Sequence, residues 1–162
     1  MPQTIIGIMG PGQGATPTDL HNAQRLGAAI ARASWVLLTG GRPVGVMAAA
    51  LRGAKAAGGL TVGILPGRDQ QFVDPNVDIA ICTDLGNGRN NVNVLSSNTV
   101  VACGMGLGTA SEVALALKNG KRVILLGDRP AQDFFSGLAG ELVVAVASVE
   151  EAIAQLHQWH GA

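Results

Sequence analysis

Apolar positions along the chain fall into two alternating patterns. Short runs at 4–9, 35–39, 61–65, 77–82, 99–103, 122–126 and 142–146 are β-prone, and most carry no polar interruption. Unbroken apolar runs of this length are how strands covered on both faces read. Between them, residues 16–34 carry Leu20, Ala23, Gly27, Ile30 and Ala31 at helical spacing. Residues 44–57 do the same with Val44, Met47, Ala48, Leu51 and Ala54. Thr16 is the expected N-cap of the first helix, with Pro17 at its first position, and Gly58-Gly59 ends the second. Further helices are predicted at 89–97, at 108–118 before Asn119-Gly120, and from the capping-box spacing of Ser148 and Glu151 through Ile153 and Leu156. Residues 128–140 are the least regular and, with Phe134-Phe135, read as either a short helix or a subunit contact.

Strand–helix alternation with buried strands predicts an α/β fold. The expected form is a Rossmann-like, doubly wound, mainly parallel sheet of about seven strands with helices on both faces. No repeat, linker or low-complexity tract interrupts residues 1–162, so a single ligand-binding domain is expected. A chain of that length buries roughly 70% of its unfolded surface, enough for a core without staples.

Charge and composition then remove several function classes. The 11 basic and 11 acidic residues cancel, which argues against a nucleic-acid partner held mainly through phosphates. At 48% hydrophobic and 14% charged, the chain is too apolar for disorder. No apolar run is long enough to span a membrane, and the first residues, MPQTIIGIMGPG, lack the basic start of a signal peptide. Cys82 and Cys103 sit in apolar runs without metal-like spacing, as reduced, buried thiols in a cytoplasmic protein would. The three histidines, His21, His157 and His160, fall on predicted helices and are expected at the surface.

Glycine is the informative excess: 23 residues, about twice the usual share of ~7%. The clusters follow strand ends: Gly10-Pro11-Gly12-Gln13-Gly14, Gly40-Gly41-Arg42, Gly67-Arg68, Gly86-Asn87-Gly88-Arg89 and Gly104-Met105-Gly106-Leu107-Gly108-Thr109. In an open parallel sheet all of them lie on the carboxyl-end rim, where ligands bind. Glycines allow close approach of a ligand to the main chain, and free N–H groups at a following helix favour a phosphate. Three clusters bring an arginine: Arg42, Arg68 and Arg89. The Gly104–Thr109 spacing is neither the dinucleotide fingerprint nor a P-loop, since no Lys-Ser/Thr follows. Thr109 either binds phosphate through its hydroxyl or caps the helix, and Thr109-x-x-Glu112 also fits a capping box.

Gly40, Gly41, Gly45 and Met47 (GGxxxGxM), then Arg89 opening a helix, then Gly104, Gly106, Gly108, Thr109 and Glu112, resemble the LONELY GUY family, and the resemblance covers almost the whole chain. Enzymes of that family hydrolyse the N-glycosidic bond of nucleoside 5′-monophosphates with an Arg and a Glu at these two places. Two positions depart from them: Gly104-Met105-Gly106 stands where they have Pro-Gly-Gly, and Asn90 where they have Lys. The stretch from Gly88 to Leu117 resembles instead a sister branch that includes the molybdenum cofactor carrier proteins. Those are non-catalytic homo-oligomers that hold a phosphorylated pterin carrying dithiolene-bound molybdenum.

The resemblance implies molybdenum cofactor as ligand and a non-catalytic carrier, with a LONELY GUY-like phosphoribohydrolase acting on an AMP-like nucleotide through Arg89 and Glu112, or a nucleotide-sensing module, as alternatives. The expected contacts are Gly10, Pro11, Gly12, Gly40, Gly41, Arg42, Arg89, Asn90, Asn91, Met105, Gly106, Leu107, Gly108, Thr109 and Glu112, with no metal bound directly by the protein. Residues 106–109 would hold the phosphate with Arg89 or Arg42. Asn87, Asn90 and Asn91 offer amides to a pterin, while Phe72 is the only aromatic near the rim. Met105 and Cys103 are soft atoms that could approach molybdenum or belong to the core. A homodimer or homotetramer is expected, packed through small-residue faces of the Ala-rich helices, with a molybdoenzyme as possible recipient.

Overall fold

The computed structural model describes residues 1–161. Among them a seven-stranded sheet has the order β4-β3-β2-β1-β5-β6-β7, with every neighbouring pair parallel. The strands are β1 (Ile5–Met9), β2 (Val36–Thr39), β3 (Thr61–Leu65), β4 (Ile79–Cys82), β5 (Thr99–Cys103), β6 (Arg122–Leu126) and β7 (Val143–Val146). The helices are α1 (Pro17–Arg32), α2 (Gly45–Ala56), α3 (Arg89–Ser96), α4 (Leu107–Lys118), α5 (Arg129–Ala139) and α6 (Val149–His160). This is the expected Rossmann-like α/β fold.

Period-two alternation along the strands sorts the core into two layers. Ile6, Ile8, Leu37, Val101 and Ile124 pack with α1, α2 and α6. Met9, Leu38, Val100, Ala102 and Leu125 pack with α3, α4 and α5. Because both faces are covered, apolar side chains point both ways. That is why the central strands read as unbroken apolar runs.

The start signals act as expected at α1. Thr16 accepts from Asp19 N–H, and the Asp19 side chain returns to Thr16 N–H, with Pro17 inside. At α6 Ser148 accepts from Glu151 N–H, but Glu151 reaches back to Ala147 N–H. Residues 128–140 resolve as a helix, capped by Asp128, whose side chain accepts from Ala131 N–H.

Several expectations are corrected. β4 closes one edge of the sheet, so Ile79 and Ile81 are exposed and Cys82 is an exposed thiol; only Cys103 is buried. His157 and His160 are partly buried against Trp35, with ring centroids 4.9 and 5.9 Å away, and His160 Nε2 pairs with Thr99 Oγ1 at 2.8 Å. His21 alone is exposed as expected. The small-residue face of α2 packs within the chain, against α1, where Gly27 meets the Ala50 carbonyl and Gly53 the Gln24 carbonyl.

Candidate functional site

Strand order reverses at β1, whose neighbours are β2 and β5, so the connections leaving β1 and β5 diverge and open a crevice at the carboxyl end. A pocket of about 800 Å³ lies there. Its walls come from the loop after β1 (Gly10, Pro11, Gly12), the loop after β2 (Gly40, Arg42), the start of α3 (Arg89, Asn90) and the loop into α4 (Met105, Gly106, Leu107, Gly108, Thr109, Glu112). Thirteen of the fifteen residues expected from the sequence are therefore brought together. The loops are tied to each other by Val46 N–H donating to Pro11 O at 3.1 Å.

The N-terminus of α4 is the main-chain end of the site. Gly106 is its N-cap without any side-chain cap, and the first helical bond is Ala110 N–H to Gly106 O. Among the described residues, the N–H groups of Leu107, Gly108 and Thr109 thus have no protein acceptor. They carry the positive end of the helix dipole. Of the two roles open to Thr109, the cap is removed here: α4 begins at Leu107, which places Thr109 one turn too deep to cap. Its hydroxyl is buried, with no partner.

Arg89 and Arg42 supply the side-chain charge. Arg89 Nη1 donates to Gly40 O and, at 2.6 Å, to Ile64 O, which fixes the guanidinium against the ends of β2 and β3. Burial pulls the Arg89 pKa below its ordinary value; the Glu112 carboxylate opposes that shift and Arg42 adds to it. The group nonetheless remains a cation. The third expected arginine lies elsewhere: Arg68 is exposed and pairs with Asp84 at 3.3 Å.

Glu112 is the buried acid. Burial pushes its pKa up to about 7, against the opposing effects of the Asn93 hydrogen bond and Arg89. Asn93 Nδ2 donates to Glu112 Oε2 at 3.0 Å. Asn93 lines the pocket although the sequence reading passed over it; its signal was the i+4 spacing from Arg89, which puts both on one face of α3.

Two expected contacts fall outside. Asn91 accepts from Asn119 Nδ2 at 3.1 Å on the outer side of the α3–α4 pair, and Gly41 packs beneath the rim against Gly63. Cys103 does not line the pocket; its thiol donates to Asp19 O, and burial with the Asp19 charge pushes its pKa up to about 12, so it is no thiolate. The methionines on the wall are Met9, Met47 and Met105, and Phe72, 68% exposed, is the wall's aromatic ring.

Comparison with known proteins bears on the fold and the family. The molybdenum cofactor binding protein from Rippkaea orientalis is 57% identical, with a TM-score of 0.96 over 98% of both chains. The molybdenum cofactor carrier protein from Chlamydomonas reinhardtii is 51% identical, with a TM-score of 0.93 over 97% of this chain and 98% of that one. A cytokinin riboside 5′-monophosphate phosphoribohydrolase of Mycobacterium tuberculosis is 34% identical over 111 residues, 65% of this chain and 59% of the relative. The SLOG cluster4 family model matches residues 3–153, and the chain belongs to that family.

Proposed function

We propose that the chain binds molybdenum cofactor in the pocket at the carboxyl end of the sheet, and protects and transfers it without turnover. The observation that carries this reading is the convergence of unpartnered N–H groups at α4 with Arg42 and Arg89 on one pocket. Three main-chain donors, a helix dipole and two guanidinium groups suit the terminal phosphate of the cofactor. The likeness to two carrier or binding proteins at 51–57% identity supports the choice of cargo. The exposed face of Phe72 suits stacking on the flat pterin, with Met47 and Met105 on the same wall. Molybdenum rides on the cofactor's own dithiolene, so no protein ligand to it is required.

The chain would act as a homodimer or homotetramer that hands its cargo to a molybdoenzyme. Sedimentation at micromolar concentration checks the assembly. Cargo is tested by purifying the wild type and Arg89→Ala from cells that make the cofactor and assaying the fluorescence of its oxidised pterin. The wild type should carry the pterin and Arg89→Ala much less; equal loading of both removes Arg89 from the site.

A phosphoribohydrolase is the second reading, favoured by the raised pKa of Glu112 beside a cationic Arg89. Against it, Asn90 stands where the resemblance puts a lysine, and its amide is spent on Ser111 Oγ at 2.9 Å. Incubation with AMP and N6-modified AMP separates the two. Release of free base at ordinary enzyme rates, lost in Glu112→Ala, would overturn the carrier reading.

A further inference from the structure

The pocket floor holds more acceptors than the protein uses. Asn93 is 1% exposed and Thr109 2%, and the Asn93 Oδ1 and Thr109 Oγ1 atoms are buried without a hydrogen-bond partner. The orientation of the Asn93 amide follows from its neighbour: above the Glu112 pKa of about 7 the carboxylate is ionised and only accepts, so Nδ2 faces it and Oδ1 is the atom left over. One Glu112 oxygen takes that amide, and its other oxygen receives no hydrogen bond among the described residues. Ser97 Oγ donates to the Asn93 main-chain carbonyl, not to its side chain. Buried acceptors without donors are costly, and a site that keeps them is built for a ligand that brings the donors.

The charge pattern narrows what those donors are. Arg42 and Arg89 already make the pocket cationic, so a second cation would be repelled. Neutral N–H groups meet the acceptors without that penalty. Asn93 on α3 and Glu112 on α4 are joined by their 3.0 Å hydrogen bond and line the same pocket, so each brings a free oxygen to one place where a ring edge carrying more than one N–H group could meet both.

We propose that Asn93 and Glu112 together recognise the N–H donor edge of the ligand's ring, the 2-amino-4-oxo-pyrimidine edge that pterins share with guanine. The proposal rests on the carrier reading and deepens it: phosphate is held at α4, and the ring is identified at the Asn93–Glu112 pair. An adenine edge fails there, because its ring nitrogen presents a lone pair to the carboxylate. The pair therefore selects ligands as well as holding them.

Guanosine and inosine 5′-monophosphates differ only in the 2-amino group and serve as probes. Affinities of GMP, IMP and AMP for the full chain are measured by calorimetry at about pH 8, above the Glu112 titration, with inorganic phosphate as competitor. The wild type should bind GMP about tenfold more tightly than IMP, and AMP more weakly still. In Glu112→Gln, where an amide N–H meets the ring donors, GMP and IMP should come within about twofold of each other. If that variant does not fold, the wild-type ranking decides alone. Equal affinities in the wild type, or phosphate binding with no nucleotide binding, overturn the role of the pair and leave the phosphate cradle standing. Binding of neither nucleotide nor phosphate overturns the functional reading itself.

Discussion

Arg89 lies in the space that a side chain on Gly40 would occupy. Its Nη1 donates to the Gly40 carbonyl and to the Ile64 carbonyl at 2.6 Å, and a Cβ on Gly40 would overlap that nitrogen and crowd Met47 Sδ. Two carbonyls at adjacent strand ends thus fix one arm of a planar fork, leaving its remaining donors for the pocket. Orienting a long cation before the ligand arrives removes an entropic cost from binding.

Gly40→Ala should therefore weaken phosphate binding about tenfold by dislodging Arg89, while Arg89→Ala removes the same interaction directly. Because both act through one guanidinium, adding Gly40→Ala to Arg89→Ala should cost little more. Calorimetry on the four proteins gives the cycle. Full additivity would show that Gly40 acts by some other route.

Glu112 should make the fold less stable as pH rises. Its folded pKa of about 7 stands above the ordinary 4.5, so between those values the folded chain holds a proton that the unfolded chain releases. Stability is then highest below the unfolded value, falls as pH climbs toward 7, and levels off above it. The displacement corresponds to about 3 kcal/mol. Urea unfolding of the wild type and Glu112→Gln at about pH 5 and pH 8 isolates this group from the rest, with the difference moving in favour of Glu112→Gln on going to pH 8. A pH-independent difference would mean the carboxyl is solvated.

Sequence reading captured those parts of the fold that local chemistry decides. β3, β5 and β6 begin and end where their apolar runs do, because burial on both faces leaves no polar interruption. The residues of β4 read alike, yet Ile79 and Ile81 are exposed. Whether a strand is central or an edge depends on sheet order, a non-local property that no single run encodes. At the site, strand-end glycines located the rim because the carboxyl-end rule is general. Individual roles were harder. Thr109 and Glu112 have the spacing of a cap, and only the actual first residue of α4 distinguishes a cap from a pocket wall. Asn90, Asn91 and Asn93 look equivalent in sequence, but 100° steps around α3 send them to Ser111, Asn119 and Glu112 respectively.

The thiols should differ sharply. Cys82 is exposed on the edge strand, whereas Cys103 is buried with its pKa pushed up to about 12. Since the thiolate is the reactive form, a neutral disulfide reagent should modify one thiol per folded chain quickly and the second only after denaturation. Mass spectrometry after digestion assigns the site. Rapid modification of Cys103 in the folded protein would contradict its burial.

Gly27 and Gly137 should respond to alanine in opposite directions. Alanine is the better helix former by about 1 kcal/mol, so propensity alone favours both changes. On α5 nothing lies within 4 Å of a Cβ placed at Gly137, and Gly137→Ala should raise stability by up to that amount. On α1 a Cβ at Gly27 would run into the Ala50 carbonyl of α2, and reciprocally a Cβ at Gly53 would meet the Gln24 carbonyl, so the two helices touch backbone to backbone. A carbonyl inside a helix cannot rotate aside, and forcing the pair apart opens the layer that holds Leu26, Ile30 and Leu51. Overpacking of that kind costs about 1–3 kcal/mol, which exceeds the propensity gain. Urea midpoints should therefore move down for Gly27→Ala and up for Gly137→Ala; a rise in both would mean that α1 and α2 are free to separate.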